Sequence, residues 1–202
     1  MPKVAFLTGI PGAGKSWIGK ELASRNIAAH INGDEVRRRT VLMLYPGADS
    51  QSLWSESFWD HLFVTTDVKP AIQYAIDSFV LPNLNQSLPL LFDAFLTSHS
   101  GFRSACTAAL NSSGYPVEAE ELFWIDPPLS LVVEQANSRI KNGTRPGEGP
   151  IDEQEAFRRR QILQSRLVPK GIAIRAADPL QLIHQVTTFL RQDDPSIHTS
   201  TN

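Results

Sequence analysis

Eight consecutive residues, Gly9, Ile10, Pro11, Gly12, Ala13, Gly14, Lys15 and Ser16, fit the pattern G-x-x-x-x-G-K-[ST] without a mismatch. These types at this spacing suit one task, the holding of a polyphosphate. Glycines let main-chain N–H groups converge on phosphate oxygens with no Cβ in the way. A helix starting at the end of such a loop aims its unpaired N–H groups and the positive end of its dipole at the same anion. Lys15 has the reach for the β- and γ-phosphates, and Ser16 offers a hydroxyl to Mg2+. Trp17 completes the run expected to touch the nucleotide. The cradle therefore implies ATP and Mg2+, and the sequence carries no N-K-x-D motif for reading guanine.

A second group of polar residues could serve a phosphoryl acceptor. In "INGDEVRR" (31–38), Asp34 follows an apolar strand candidate expected beside the first strand. There it could take the proton of an attacking hydroxyl and aim that hydroxyl at the γ-phosphate, or merely cap the next helix. Arg37, one helical turn on, could hold a phosphate or another anion of the acceptor. Asp93 interrupts the apolar run "LLFDAF". A carboxylate in such a place needs a metal, an arginine or the ligand edge of the sheet. It could be a group reaching Mg2+ through water, an acceptor-site carboxylate, or half of an ion pair with Arg103. Asp126, followed by Pro127 and Pro128, reads as a turn residue. The stretch 137–161 sets basic residues around a Gly/Pro-rich loop, as expected of a lid that closes over a triphosphate and keeps water out. Arg139 and Arg145 are its candidates for stabilising the transferring phosphoryl group.

These side chains need elements to position them. Strands are expected at 4–7, 27–31, 88–96, 117–126 and 171–176. Helical stripes run through Ile18 and Leu22, through Ile72, Ile76 and Phe79, and through Phe102, Ala105 and Ala109. Others pass through Leu129, Val132, Ala136 and Ile140, and through Leu180, Ile183, Val186 and Leu190. Ser100 is a candidate helix cap, Gly114 a stop, and Asp152 with Glu155 a capping pair. Strands alternating with helices predict an α/β fold, a three-layer α/β/α sandwich with a five-stranded, mostly parallel sheet. Ligands then gather at the carboxyl ends of the strands. Residues 1–191 are expected to form one domain, with an acceptor-side insert at 45–63 and a polar, disordered tail at 192–202. Trp54, Phe58 and Trp59 in the insert could stack on a nucleobase or fill the core.

Composition limits the choices. The 202 residues carry a net charge of −2, so the chain as a whole is no general polyanion binder. Two arginine triplets, 37–39 and 158–160, still permit a polyanionic ligand at one face, unless they lie on solvated helix surfaces. Cys106 is the single cysteine and sits in an apolar stretch, which suits a reducing compartment. No apolar run approaches the ~20 residues of a membrane span. The start of the chain lacks the features of a signal peptide, so a cytoplasmic location is expected, in the host cell if the chain is phage-encoded.

Taken in succession, "GIPGAGKS", "INGDEVRR", "FDAFLTSHSGFR" and "RIKNGTRPGEGPID" resemble the motifs of phage-type polynucleotide 5′-hydroxyl kinases and their P-loop kinase relatives. The likeness runs to about residue 170. It implies Asp34 as general base, Arg37 as an acceptor-phosphate contact, Asp93 and Arg103 in the acceptor site, and a lid arginine over the phosphates. It also implies DNA or another polynucleotide as substrate. The lid departs from the family pattern of two arginines about a turn apart before Gly-Thr. Here Asn142 and Gly143 follow Arg139, and Arg145 stands in as a displaced second arginine. No bifunctional end-healing enzyme is expected. A related group phosphorylates the hydroxymethyl group of 5-hydroxymethyluracil within DNA, a primary alcohol like a 5′-hydroxyl. The expected activity is thus ATP-dependent phosphorylation of a primary hydroxyl on a polynucleotide. The alternatives are a small-molecule kinase acting on a nucleoside, sugar or antibiotic hydroxyl, and a nucleotide-binding regulatory switch.

Overall fold

Apolar runs too short for helices and without a polar face become strands covered on both sides. Two do so here, β1 (Lys3–Thr8) and β3 (Leu90–Asp93), and β2 (Ala29–Asn32), β4 (Ala119–Ile125) and β5 (Ile174–Ala176), which are buried only in part, complete the set. The computed structural model describes residues 3–48, 61–62, 66–84, 88–142, 150–168 and 173–191. The strands form one sheet in the order β2-β3-β1-β4-β5, and every pairing is parallel. Phe6 lies in register with Phe92, their ring centroids 5.5 Å apart in the buried core.

This order corrects one expectation. Asp34 does not follow a strand beside β1, because β3 lies between β1 and β2. The ends of β1 and β2 are therefore separated by two strand spacings, about 10 Å. A short parallel crossover would place them side by side, but the sheet order is settled by packing between layers, which no local pattern records.

Seven α-helices connect these strands among the described residues: α1 (Lys15–Ser24), α2 (Gly33–Leu44), α3 (Lys69–Ala75), α4 (Ser100–Ser112), α5 (Leu129–Lys141), α6 (Glu153–Leu167) and α7 (Pro179–Arg191). α1 and α7 pack on the sheet and on each other, whereas α2, α3 and α4 pack together as the other helical layer. The α/β sandwich expected from the alternation is the fold observed. α3 runs on into a π-helical turn at Ile76–Val80 and a 3-10 turn at Leu81–Asn83. Buried residues from all five strands and all seven helices join in one apolar cluster. Cys106 is within it, and burial pushes its thiol pKa far up, as suits a packing residue.

Helix ends follow local chemistry, with two corrections. Asn32, not Asp34, caps α2: its Oδ1 accepts from the backbone N–H of Asp34 at 3.0 Å and of Glu35 at 3.4 Å. His99, not Ser100, caps α4, its Nδ1 accepting from Gly101 N–H at 3.2 Å. The other signals hold. Asp152 Oδ1 accepts from Glu155 N–H at 2.8 Å, and Gly114 takes φ 81° just past the end of α4. No described helix is long and apolar enough to cross a membrane. Trp54, Phe58, Trp59, most of the 45–63 insert and the 192–202 tail lie outside the described residues.

Candidate active site

The loop between β1 and α1 has the backbone its glycines promise. Gly12 and Gly14 take φ 89° and 95°, and Gly9 takes φ 156°. Gly12 is required twice over. Its φ is left-handed, and a Cβ there would stand 2.4 Å from the Val132 carbonyl oxygen of α5. Beside Gly14 the space for a Cβ is open to 4 Å, and this glycine caps α1 without any side-chain acceptor. The first N–H groups of α1 thus face the hollow of the loop with no capping side chain. Lys15 is buried, its ammonium donating to the carbonyl oxygens of Gly9 at 2.8 Å and Ile10 at 3.2 Å. The lysine closes the loop around the hollow that a phosphate group would fill. Ser16 stands beside it in the first turn of α1.

Next to this cradle opens a cavity of about 800 Å³. Gly14 and Trp17 form one wall, Ser138 and Arg139 of α5 another, and Pro179 and Leu180 of α7 a third. Trp17 is 48% exposed and Leu180 64% exposed, an apolar mouth of the size and chemistry a nucleoside base needs. Leu180 is held there by the first turn of α7, whose N–H at Leu180 donates to Asp178 Oδ1 at 2.9 Å. Arg139, in the last turn of α5, lines the same cavity.

On the other side of the cradle lie the candidate acceptor residues. Asp34 is in the first turn of α2, and Arg37 follows one turn later, 5% exposed. Asp93 ends β3, the strand between β1 and β2, and is 3% exposed. Side chains alternate along a strand, so Asp93 shares a face with Leu91, and the neighbouring strand sets His30 and Asn32 on that same face. It is the face covered by α1. A Cβ on Gly19 of that helix would lie 2.4 Å from His30 Cδ2 and Nε2. Asp93 is therefore on the sheet face that carries the phosphate cradle.

The ion pair with Arg103, one of the three roles open to Asp93, does not occur among the described residues. Arg103 belongs to α4 in the other helical layer and donates from Nη1 to the Thr97 carbonyl oxygen at 2.6 Å. Burial lowers its pKa, partly offset by the charge of Glu120. The group near Asp93 is His30, with Nε2 3.0 Å from Asp93 Oδ1. That contact is not aligned as a hydrogen bond, and both atoms are buried without another partner among the described residues.

Asp126, at the end of β4, is not simply a turn residue. Arg175 of β5 donates to its Oδ2 from Nε at 2.9 Å and again from Nη2. Arg160 of α6 brings Nε to 2.7 Å from Oδ1 and donates from Nη2 to the Pro127 carbonyl oxygen. Arg175 also lies over the Trp124 ring, 4.5 Å from its centroid.

The remaining members of both arginine triplets are engaged too. Arg38 and Arg39 donate to the carboxylate of Glu35, and Arg158 and Arg159 to that of Glu155, at 2.7–2.8 Å. The hydrogen bond from Arg38 lowers the Glu35 pKa, and the one from Arg158 brings Glu155 down to about 2. Asn137, which sequence reasoning passed over, ties α5 to the chain ahead of α6. Its side-chain amide donates to the Ile151 carbonyl oxygen at 2.9 Å and accepts from the Ile151 N–H at 3.0 Å. His30, Asn137 and Arg175 carry no motif, since their partners are distant in sequence. An unaccompanied histidine in an apolar strand was the one available signal. Arg145 lies outside the described residues.

No protein-family model and no curated protein sequence matches the chain. Solved structures do. A gluconokinase from Sinorhizobium meliloti aligns with TM-score 0.50 at 14% identity, over 99% of this chain and 98% of its own. The Thermus thermophilus protein TT1252 aligns with TM-score 0.54 at 16% identity, over 95% and 97%. A candidate kinase from Chloroflexus aurantiacus aligns with TM-score 0.51 at 18% identity, over 95% and 97%. At these identities the likeness shows the fold alone, an α/β sandwich around a five-stranded parallel sheet.

Proposed function

We propose that this protein is an ATP- and Mg2+-dependent kinase that phosphorylates a hydroxyl group of a small molecule such as a nucleoside, a sugar or an antibiotic. One observation carries the reading. The Gly9–Ser16 cradle ends β1, and carboxylates stand at the same edge of the sheet at the end of β3 and just after β2. The residues present fit the nucleotide and its cation. The loop hollow is ringed by main-chain groups, the adjoining cavity is about 800 Å³ with an apolar mouth, and Asp93 is a buried carboxylate with an unaligned oxygen.

In this reading Lys15 exchanges the Gly9 and Ile10 carbonyls for β- and γ-phosphate oxygens. Ser16 and Asp93 hold the Mg2+, which supplies charge neutralisation on the phosphates when bound. Asp34 accepts the proton of the attacking hydroxyl, and the two strand spacings between it and β1 leave room for the acceptor. Arg37 and Arg103 serve anionic groups of the acceptor. Arg139 stabilises the transferring phosphoryl group, with Arg145 as its candidate companion.

The small-molecule acceptor is supported by the arginine triplets. Five of their six side chains are committed to Glu35, Glu155 or Asp126, and Arg37 is buried, so the triplets leave little basic surface for a nucleic-acid backbone. The name of the Sinorhizobium meliloti neighbour, a gluconokinase, points the same way.

The test is transfer of γ-labelled phosphate from ATP to a panel of nucleosides, sugars, sugar acids and aminoglycosides, run beside 5′-hydroxyl oligonucleotides and hydroxymethyluracil DNA. Label on one small-molecule class, reduced about 100- to 10,000-fold by Asp34→Asn, is the expected result. Label on the polynucleotides alone would overturn the acceptor class and leave a kinase. Phosphate release with no acceptor at all would favour a regulatory ATPase.

A further inference from the structure

We propose that His30 is the positioning residue for Asp93, holding one carboxylate oxygen so that the other faces the cation of the phosphoryl-transfer site. This rests on the kinase reading of Asp93 and adds a residue that no phosphate-binding motif contains.

Three features of the structure meet at this point. His30 occupies a strand position whose neighbours in the sheet, Leu90, Leu91 and Phe92 of β3, are all apolar and buried. A polar ring there is costly without a partner. The group it reaches is Asp93, at 3.0 Å, a carboxylate that is itself buried and has no other partner among the described residues. Finally, Gly19 makes the room. Any Cβ at that position of α1 would stand 2.4 Å from His30 Cδ2 and Nε2, so the helix carrying the cradle accepts the ring only because residue 19 is glycine.

The misalignment matters as much as the distance. A satisfied pair would be structural in either state. An oxygen and a nitrogen that are adjacent but off-line leave the carboxylate short of a bond, and a cation drawn to Oδ2 lets Oδ1 turn to accept from Nε2. Carboxylates that ligate metals are commonly held by such an outer partner, and losing it costs metal affinity. Asp126 differs in charge rather than in alignment: Arg175 donates to its Oδ2 and the Arg160 guanidinium stands 2.7 Å from its Oδ1, so two cations already occupy the place a metal ion would take.

The experiment titrates Mn2+ into the full chain with a non-hydrolysable ATP analogue, reading free Mn2+ by electron paramagnetic resonance. His30→Phe is expected to raise the Mn2+ dissociation constant about 10- to 100-fold. His30→Gln, which keeps an N–H donor, should stay within a few-fold of the parent. Gly19→Ala, which pushes the ring aside, should fall between them. Analogue affinity without metal should be the same in all three. If His30→Phe binds Mn2+ like the parent while Asp93→Asn does not, the role given to His30 is wrong. If Asp93→Asn also binds like the parent, the placing of Asp93 in the cation site fails first. Should His30→Phe not fold, the contrast between His30→Gln and Gly19→Ala decides, and equal affinities overturn the proposal.

Discussion

Asp93 ends β3 and Asp126 directly follows β4, the two strands that flank β1, and both residues are almost wholly buried, at 3% and 7% exposure. Their surroundings differ. Asp126 receives Arg175 on one oxygen and Arg160 on the other, and its own N–H donates to the Ala176 carbonyl oxygen at 2.8 Å. It ties β4, β5 and α6 together. Among the described residues Asp93 has only the off-line imidazole of His30. A buried carboxylate with two cations around it contributes to holding elements together, because removing it strands their charges. A buried carboxylate left short of partners costs stability, and such a cost persists where a ligand repays it. On the proposed reading the difference separates a clamp from a site, though burial and strand position are alike.

The largest test of that contrast is Asp93→Asn. Phosphoryl transfer should fall on the order of 100- to 1000-fold, while the midpoint of urea unfolding stays level or rises. A fall in both would make Asp93 a second clamp.

Asp126→Asn should do the reverse. Unfolding free energy should drop by about 3 kcal/mol, the low end for a broken buried pair because Arg175 remains half exposed. In the folded fraction kcat/KM should stay within a few-fold.

A finer contrast lies between the two arginines. Arg160 is the more buried partner and also donates to the Pro127 carbonyl oxygen. Arg160→Met should cost about 2 kcal/mol and Arg175→Met under about 1 kcal/mol by the same unfolding measurement. Equal losses would show that the clamp acts through the aspartate alone.

The smallest effect is expected from Glu155, on the same helix as Arg160 but at the surface. The hydrogen bond from Arg158, with Arg159 beside it, holds its carboxyl at about 2, against an ordinary value of 4.5. Because the folded pKa is the lower one, its contribution is present above about pH 4.5 and is lost as the pH falls towards 2. Solvent screening keeps it to a few tenths of a kcal/mol. Glu155→Gln should flatten that part of the acid unfolding profile and leave pH 7 nearly unchanged.

Much of this was legible in the residues, and the reasons can be named. The cradle was, because its glycines, lysine and serine act within one short loop. So were the alternation of strands with helices and the helix stripes, Leu180 excepted at 64% exposure, since apolar periodicity records which face each element buries. Caps were half legible: Asp152 served as expected, but Asn32 and His99 took positions offered to Asp34 and Ser100. Side-chain capping depends on where the first turn begins, and that shifts by a residue or two with little change in pattern. Asp126 read as a turn residue, although the fold gives it two arginines, and the Arg103 ion pair, one of the roles open to Asp93, is excluded because the fold puts that arginine in the other layer.

The sequence by itself determined a phosphate-binding loop between a buried strand and a helix, and an α/β sandwich to carry it, because both arise from contacts among residues close along the chain. Only the tertiary structure decided that β3 stands between β1 and β2, that His30 rather than Arg103 meets Asp93, and that Asp126 is closed by Arg160 and Arg175. Those partners lie 34 to 63 residues apart, and which of them meet depends on sheet order and on which face each strand residue turns to.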